Sequence, residues 1–130
     1  MAILLSLSGV SRADAVAVIG HAETPDLSGE KIKSLYLGFS DKLPDGTPAK
    51  VYLHREAAVR ARFLKEVLGI DERKFKSHWL KKTLAGEGVA PAEKTTEEMI
   101  SLAREKKGTI GICPVSKSMD KDIKIILRLQ

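Results

Sequence analysis

Two short, unbroken apolar runs, Val16-Ala17-Val18-Ile19-Gly20 and Thr109-Ile110-Gly111-Ile112-Cys113, stand near opposite ends of the chain. Runs of this length without polar alternation suit strands covered on both faces, and such strands need helices above and below their sheet. The segment between the runs supplies them. Ser28-Gly29-Glu30 opens a helix to about Leu37, with Ile32, Leu35 and Tyr36 at helical spacing and Gly38 as its stop. Pro44-Asp45-Gly46 marks a turn, and Ala49-Lys50-Val51-Tyr52-Leu53 alternates as a strand does. A helix is predicted from about Arg55 to Leu68, closed by Gly69. Asp71 then caps a helix whose apolar residues are Phe75, Trp79, Leu80 and Leu84, ending near Gly86. After a loop from Gly86 to Pro91, Thr95 and Glu98 have the spacing of a capping box for a helix that Gly108 ends. Ile123-Lys124-Ile125-Ile126-Leu127 is the last strand. This alternation predicts an α/β fold, a mostly parallel sheet flanked by helices.

Length and charge narrow the function. A chain of 130 residues fits one domain, and no apolar run reaches the ~18 residues that would cross a bilayer. The net charge of +5, from 22 Lys and Arg against 17 Asp and Glu, suits an anionic partner. The basic residues are mixed with acids, as in Asp71-Glu72-Arg73-Lys74, which reads as solvated helix faces and argues against a nucleic-acid surface. Cys113, the one cysteine, lies in an apolar run and reads as a small buried hydrophobe. His21, His54 and His78 lack metal-ligand spacing. With no nucleophile beside a base, no paired carboxylates and no phosphate-cradling glycine loop, neither an enzyme nor a cofactor is expected.

Residues 1–15 combine a short apolar stretch with Ala13-Asp14-Ala15, the small-x-small form that signal peptidase accepts. A signal peptide over 1–15 is therefore expected, with a single domain from 16 to 130 placed in the periplasm or outside a bacterial cell.

A set of segments in order carries a resemblance: Leu35-Tyr36-Leu37-Gly38, Pro44-Asp45-Gly46-Thr47-Pro48, the strand into Arg55, Phe63-Leu64-Lys65-Glu66-Val67-Leu68-Gly69, His78-Trp79, Gly86-Glu87-Gly88 and Lys107-Gly108-Thr109-Ile110-Gly111-Ile112. Over roughly residues 16 to 115 the chain resembles short, single-lobe members of the phosphate-binding proteins, the substrate-binding components of phosphate ABC transporters with the type 2 periplasmic-binding-protein fold. The resemblance implies two lobes with an anion held between them. This chain has about half the length that two lobes require, so one lobe is expected.

The strand ending near Leu53 feeds a helix starting near Arg55, where backbone N–H groups and the helix dipole favour an anion. In the family this junction carries an Arg and then a Ser-Gly-Thr stretch that holds phosphate oxygens. Here Arg55 is kept, and Glu56-Ala57-Ala58-Val59-Arg60 follows it. His54, Arg55 and Arg60 are the candidate ligands for phosphate or another small oxyanion through charge-assisted hydrogen bonds. The plainer alternatives stay open: Arg60 as a solvated helix residue, His54 as a packed or capping one, Trp79 as core. The expected function is an extracytoplasmic, non-catalytic, solute-binding-like domain with weak oxyanion binding. Its alternative is a structural or protein-interaction domain that has lost the ligand site and contacts an envelope protein.

Overall fold

The computed structural model describes residues 15–115 and 122–129. Of the expected signal peptide, residues 1–14 lie outside the described residues. The elements are β1 (Val16–His21), α1 (Gly29–Tyr36), β2 (Lys50–His54), α2 (Ala57–Phe63), a π turn that prolongs α2 (Leu64–Leu68), α3 (Glu72–Leu84), β3 (Ala92–Lys94), α4 (Thr96–Glu105), β4 (Thr109–Pro114) and β5 (Ile123–Arg128). The short strand β3 was not expected from the sequence, because Ala92-Glu93-Lys94 has neither an apolar run nor a clear alternation.

The strands form one sheet in the order β3-β2-β4-β1-β5. β2 is parallel to β3 and to β4, whereas β1 is antiparallel to β4 and to β5. The sheet is thus mixed, and the expectation of a mostly parallel one is corrected. β1 runs against the other four strands and sits between two of them, so its reversal alone makes two pairings antiparallel. Its apolar run reported burial on both faces, a property that an interior strand of either direction shares.

Alternate residues feed two cores. On one side Val18, Leu53, Ile110 and Ile112 meet Tyr36 of α1, Phe63 and Leu64 of α2 and its π turn, and Phe75 and Trp79 of α3. On the other, Ala17, Ile19, Tyr52 and Cys113 meet Met99 and Ala103 of α4. Each such large side chain contributes roughly 1.5–3 kcal/mol by leaving water. A Cβ on Gly111 would collide with the Met99 sulfur, so glycine there lets α4 lie close on β4. Cys113 is fully buried, and burial pushes its thiol up to about 12, which leaves it inert.

The helix ends follow the sequence closely. Ser28 accepts from the Lys31 N–H, Asp71 from the Lys74 N–H, and Thr95 and Glu98 form the reciprocal box. Gly69 takes the left-handed conformation after the π turn, at φ 73°. α3 is tied to the end of α1, because the Trp79 indole N–H donates to the Tyr36 carbonyl at 3.0 Å and His78 donates to that of Leu37 at 2.7 Å.

One feature of α3 departs from the expected apolar face. Phe75 and Trp79 are buried, whereas Leu80 and Leu84 are 60% and 79% exposed. At 3.6 residues per turn, Leu80 stands about 100° around the helix from Trp79, beyond the edge of the buried face.

Candidate functional site

β2 and β3 lie side by side and point the same way. The chain leaves β2 into α2, whose residues join the first core, and leaves β3 into α4, whose residues join the second. Two parallel neighbours whose helices depart to opposite faces open a crevice at their carboxyl ends, the place where open α/β sheets hold ligands. Lys94 and the first residues of α4 stand on one bank, and His54, Arg55 and the start of α2 on the other.

His54, the last residue of β2, is buried in this crevice at 2% exposure. Its Nδ1 accepts the Glu56 backbone N–H at 3.0 Å. The ring proton therefore rests on Nε2, which lies 2.8 Å from Thr96 Oγ1 and donates to it. The imidazole thus bridges the entry of α2 and the first turn of α4. It also does the work of a cap: Glu56, the N-cap residue of α2, makes no side-chain capping bond. Burial holds the His54 pKa below its ordinary value; the Glu56 carboxylate pulls it up, and the Arg60 cation pushes it down.

Arg60 has turned inward and is 12% exposed. Its Nη1 donates to the carbonyls of His54 and Arg55 at 3.0 and 2.9 Å, and its Nε to Glu72 at 2.6 Å, with Glu93 of β3 3.7 Å from Nη1. One guanidinium thereby ties the end of β2 to α3 and faces β3. Arg55 differs: its backbone N–H donates to the Lys94 carbonyl, while its side chain is 61% exposed and 3.7 Å from Glu98. Hydrogen bonding from the Thr95 N–H, followed by the Arg55 charge, holds the Glu98 carboxyl below its usual range.

The structure accordingly brings His54, Arg55 and Arg60 together at one junction and gives each a different task. Sequence reasoning missed the partners Glu72, Glu93 and Thr96. The capping box at Thr95 located the start of α4, but nothing in the sequence reported that β3 would set it beside His54. Among the described residues no group of His, Cys, Asp and Glu could hold a metal ion, and no helix is long and apolar enough to cross a membrane.

No protein-family model matches the chain, and no curated protein matches it in sequence. Solved structures do match it in fold. A phosphate ABC transporter substrate-binding protein with bound phosphate from Clostridium perfringens superposes with a TM-score of 0.64 at 18% identity, over 86% of this chain and 44% of that one. An ABC-type phosphate transport receptor from Vibrio cholerae gives 0.62 at 16% identity, over 86% of this chain and 45% of that one. The likeness is one of fold, to part of each of these phosphate-binding proteins. The chain spans less than half the length of these two relatives.

Proposed function

We propose that this chain is a non-catalytic, solute-binding-like domain that acts through contacts with an envelope protein and has given up the capture of phosphate. The observation that carries the reading is the His54 ring. It spends Nδ1 on the Glu56 N–H and Nε2 on Thr96, in the crevice where a ligand's oxygens would be held. An incoming anion would have to replace both bonds, and the carboxylates of Glu56 and Glu98 stand beside its path. We take residues 16–130 as a single domain and 1–15 as its signal peptide, in the periplasm or outside a bacterial cell. Ala13-Asp14-Ala15 and the likeness to transport receptors support that placement.

Arg55 favours a second reading, weak oxyanion binding, because its guanidinium is exposed beside the start of α2. A half-hydrated anion there would bind on the order of millimolar. Phosphate titration followed by NMR decides between the two. On the first reading the amides of residues 54–59 show no saturable shift up to roughly tens of millimolar phosphate. Saturable shifts centred there and lost in Arg55→Ala establish the second, and binding well below millimolar overturns the first outright.

A further inference from the structure

The surplus positive charge of this chain is concentrated on one element. α3 carries Arg73, Lys74, Lys76, Lys81 and Lys82 against Glu72 alone, a surplus of four where the whole chain has five. Of the carboxylates at its start, Glu72 is paired with Arg60, and Asp71 keeps its charge while accepting from the Lys74 backbone N–H. Lys82 is drawn over the rings of Phe39 and Trp79, at 5.6 and 5.9 Å, while Arg73, Lys74, Lys76 and Lys81 face solvent. Among these cations Leu80 and Leu84 stand one helical turn apart, mostly exposed. Beside them runs a groove of about 330 Å³, walled by Lys76, Leu80 and Thr83 of α3 and by Ala90 and Pro91, and floored by Leu53, Phe75 and Trp79. The carboxylates of Glu72 and Glu93 also line it, both facing the Arg60 guanidinium. Val89, next to Ala90 in the chain, is 74% exposed.

We infer that this face of α3, with its groove, is the docking surface for an acidic amphipathic segment of a partner protein. The inference rests on the reading above that the domain acts through protein contacts. Charge complementarity sets the sign of the partner, and the apolar lining sets the rest of its chemistry. A helix carrying large apolar residues at i, i+3, i+4 and i+7 would place one side chain in the groove and cover Leu80 and Leu84 with its neighbours. Its flanking carboxylates would then meet Arg73, Lys76 and Lys81, which stand on either side of the Leu80 and Leu84 row. A lipid surface fits less well, because it lies flat across a groove and leaves it unfilled. A nucleic-acid backbone pairs with the lysines and gives the two leucines nothing to bury against.

The probe is a synthetic amphipathic helix of Leu and Glu, compared with its Leu and Lys counterpart, with phosphatidylglycerol vesicles and with duplex DNA. Each is titrated into the full chain and followed by NMR and by Trp79 fluorescence. The Leu/Glu peptide is expected to bind in the micromolar range, on the order of tens of micromolar. Its shifts should centre on residues 76–84 and 89–91, and its affinity should fall with salt. Lys76→Glu with Lys81→Glu, and separately Leu80→Ser with Leu84→Ser, should each weaken it about tenfold or more, with melting transitions kept because all four side chains face water. Equal binding of the Leu/Lys peptide, shifts centred elsewhere, or vesicles or DNA that engage α3 while the Leu/Glu peptide does not would each overturn the inference. Tight phosphate capture at the β2–α2 junction, with the α3 binding intact, would overturn the functional reading and leave this surface standing.

Discussion

At the junction between β2 and α2, charged and polar groups are turned inward and matched: His54 uses both ring nitrogens, and Arg60 reaches two carbonyls and a carboxylate. On the outer face of α3, two leucines are left in water among cations. The two regions share Arg60 and Glu72, yet they prepare the molecule for different events. A crevice whose polar atoms already have partners asks an incoming ligand to replace every bond that it breaks. An exposed apolar row beside a groove gains free energy from anything that covers it. Fold likeness directs attention to the crevice, and the chemistry of this chain directs it to α3.

The largest expected effect tests whether α3 is a fixed platform. Trp79 is 7% exposed and its indole N–H is bound to Tyr36 in the core beneath the groove. Trp79→Ala should cost about 3–5 kcal/mol in urea melts, through lost burial, an unfilled cavity and an unpaired carbonyl. A cost below about 1 kcal/mol would show that the helix is loosely seated and break the contrast between its two faces.

Next in size is the junction itself. Arg60→Ala removes the donor shared by two carbonyls and leaves Glu72 without its partner. A loss of about 2 kcal/mol is expected by the same melts. Arg62, two residues on, makes an i,i+4 pair with Glu66 with its side chain 26% exposed, and Arg62→Ala should cost clearly less, under about 1 kcal/mol. Equal effects of the two substitutions would return Arg60 to the status of a solvated helix residue that its sequence position suggested.

The sequence made the fold class and most helix ends readable because they depend on local chemistry: Ser28, Asp71, Thr95 with Glu98, and Gly69 each act within a few residues. Strand direction was not readable, since the apolar run of β1 carries burial and no direction. The candidate site was half readable. Dipole and charge placed His54, Arg55 and Arg60 at one junction, but whether a side chain faces solvent or the fold depends on contacts distant in sequence. Thr96 lies 42 residues from His54, and Glu93 comes to Arg60 on a three-residue strand without a pattern of its own. The Leu80 and Leu84 face escaped notice because an apolar residue in a helix reads as core unless its angle to the buried face is followed.

The smallest expected effect probes how tightly the crevice is closed. Burial holds the folded-state His54 below its ordinary pKa of 6.5, with Glu56 opposing that shift and Arg60 adding to it. Between the two values the unfolded chain binds a proton that the folded chain refuses, so stability must rise with pH across that window. The contribution of neutral His54 is therefore complete above about pH 6.5, declines as pH falls below it, and levels off under the folded value. Structurally, a proton on Nδ1 turns the acceptor of the Glu56 N–H into a second donor aimed at it. His54→Gln retains an acceptor and a donor but cannot titrate. Urea midpoints measured between about pH 7.5 and 5.5, above the range where carboxylates titrate, should fall in the wild type and fall less in this variant. Identical slopes would mean that the ring is solvated and free to charge. The crevice would then stand open, and the difference between the two regions would be one of degree.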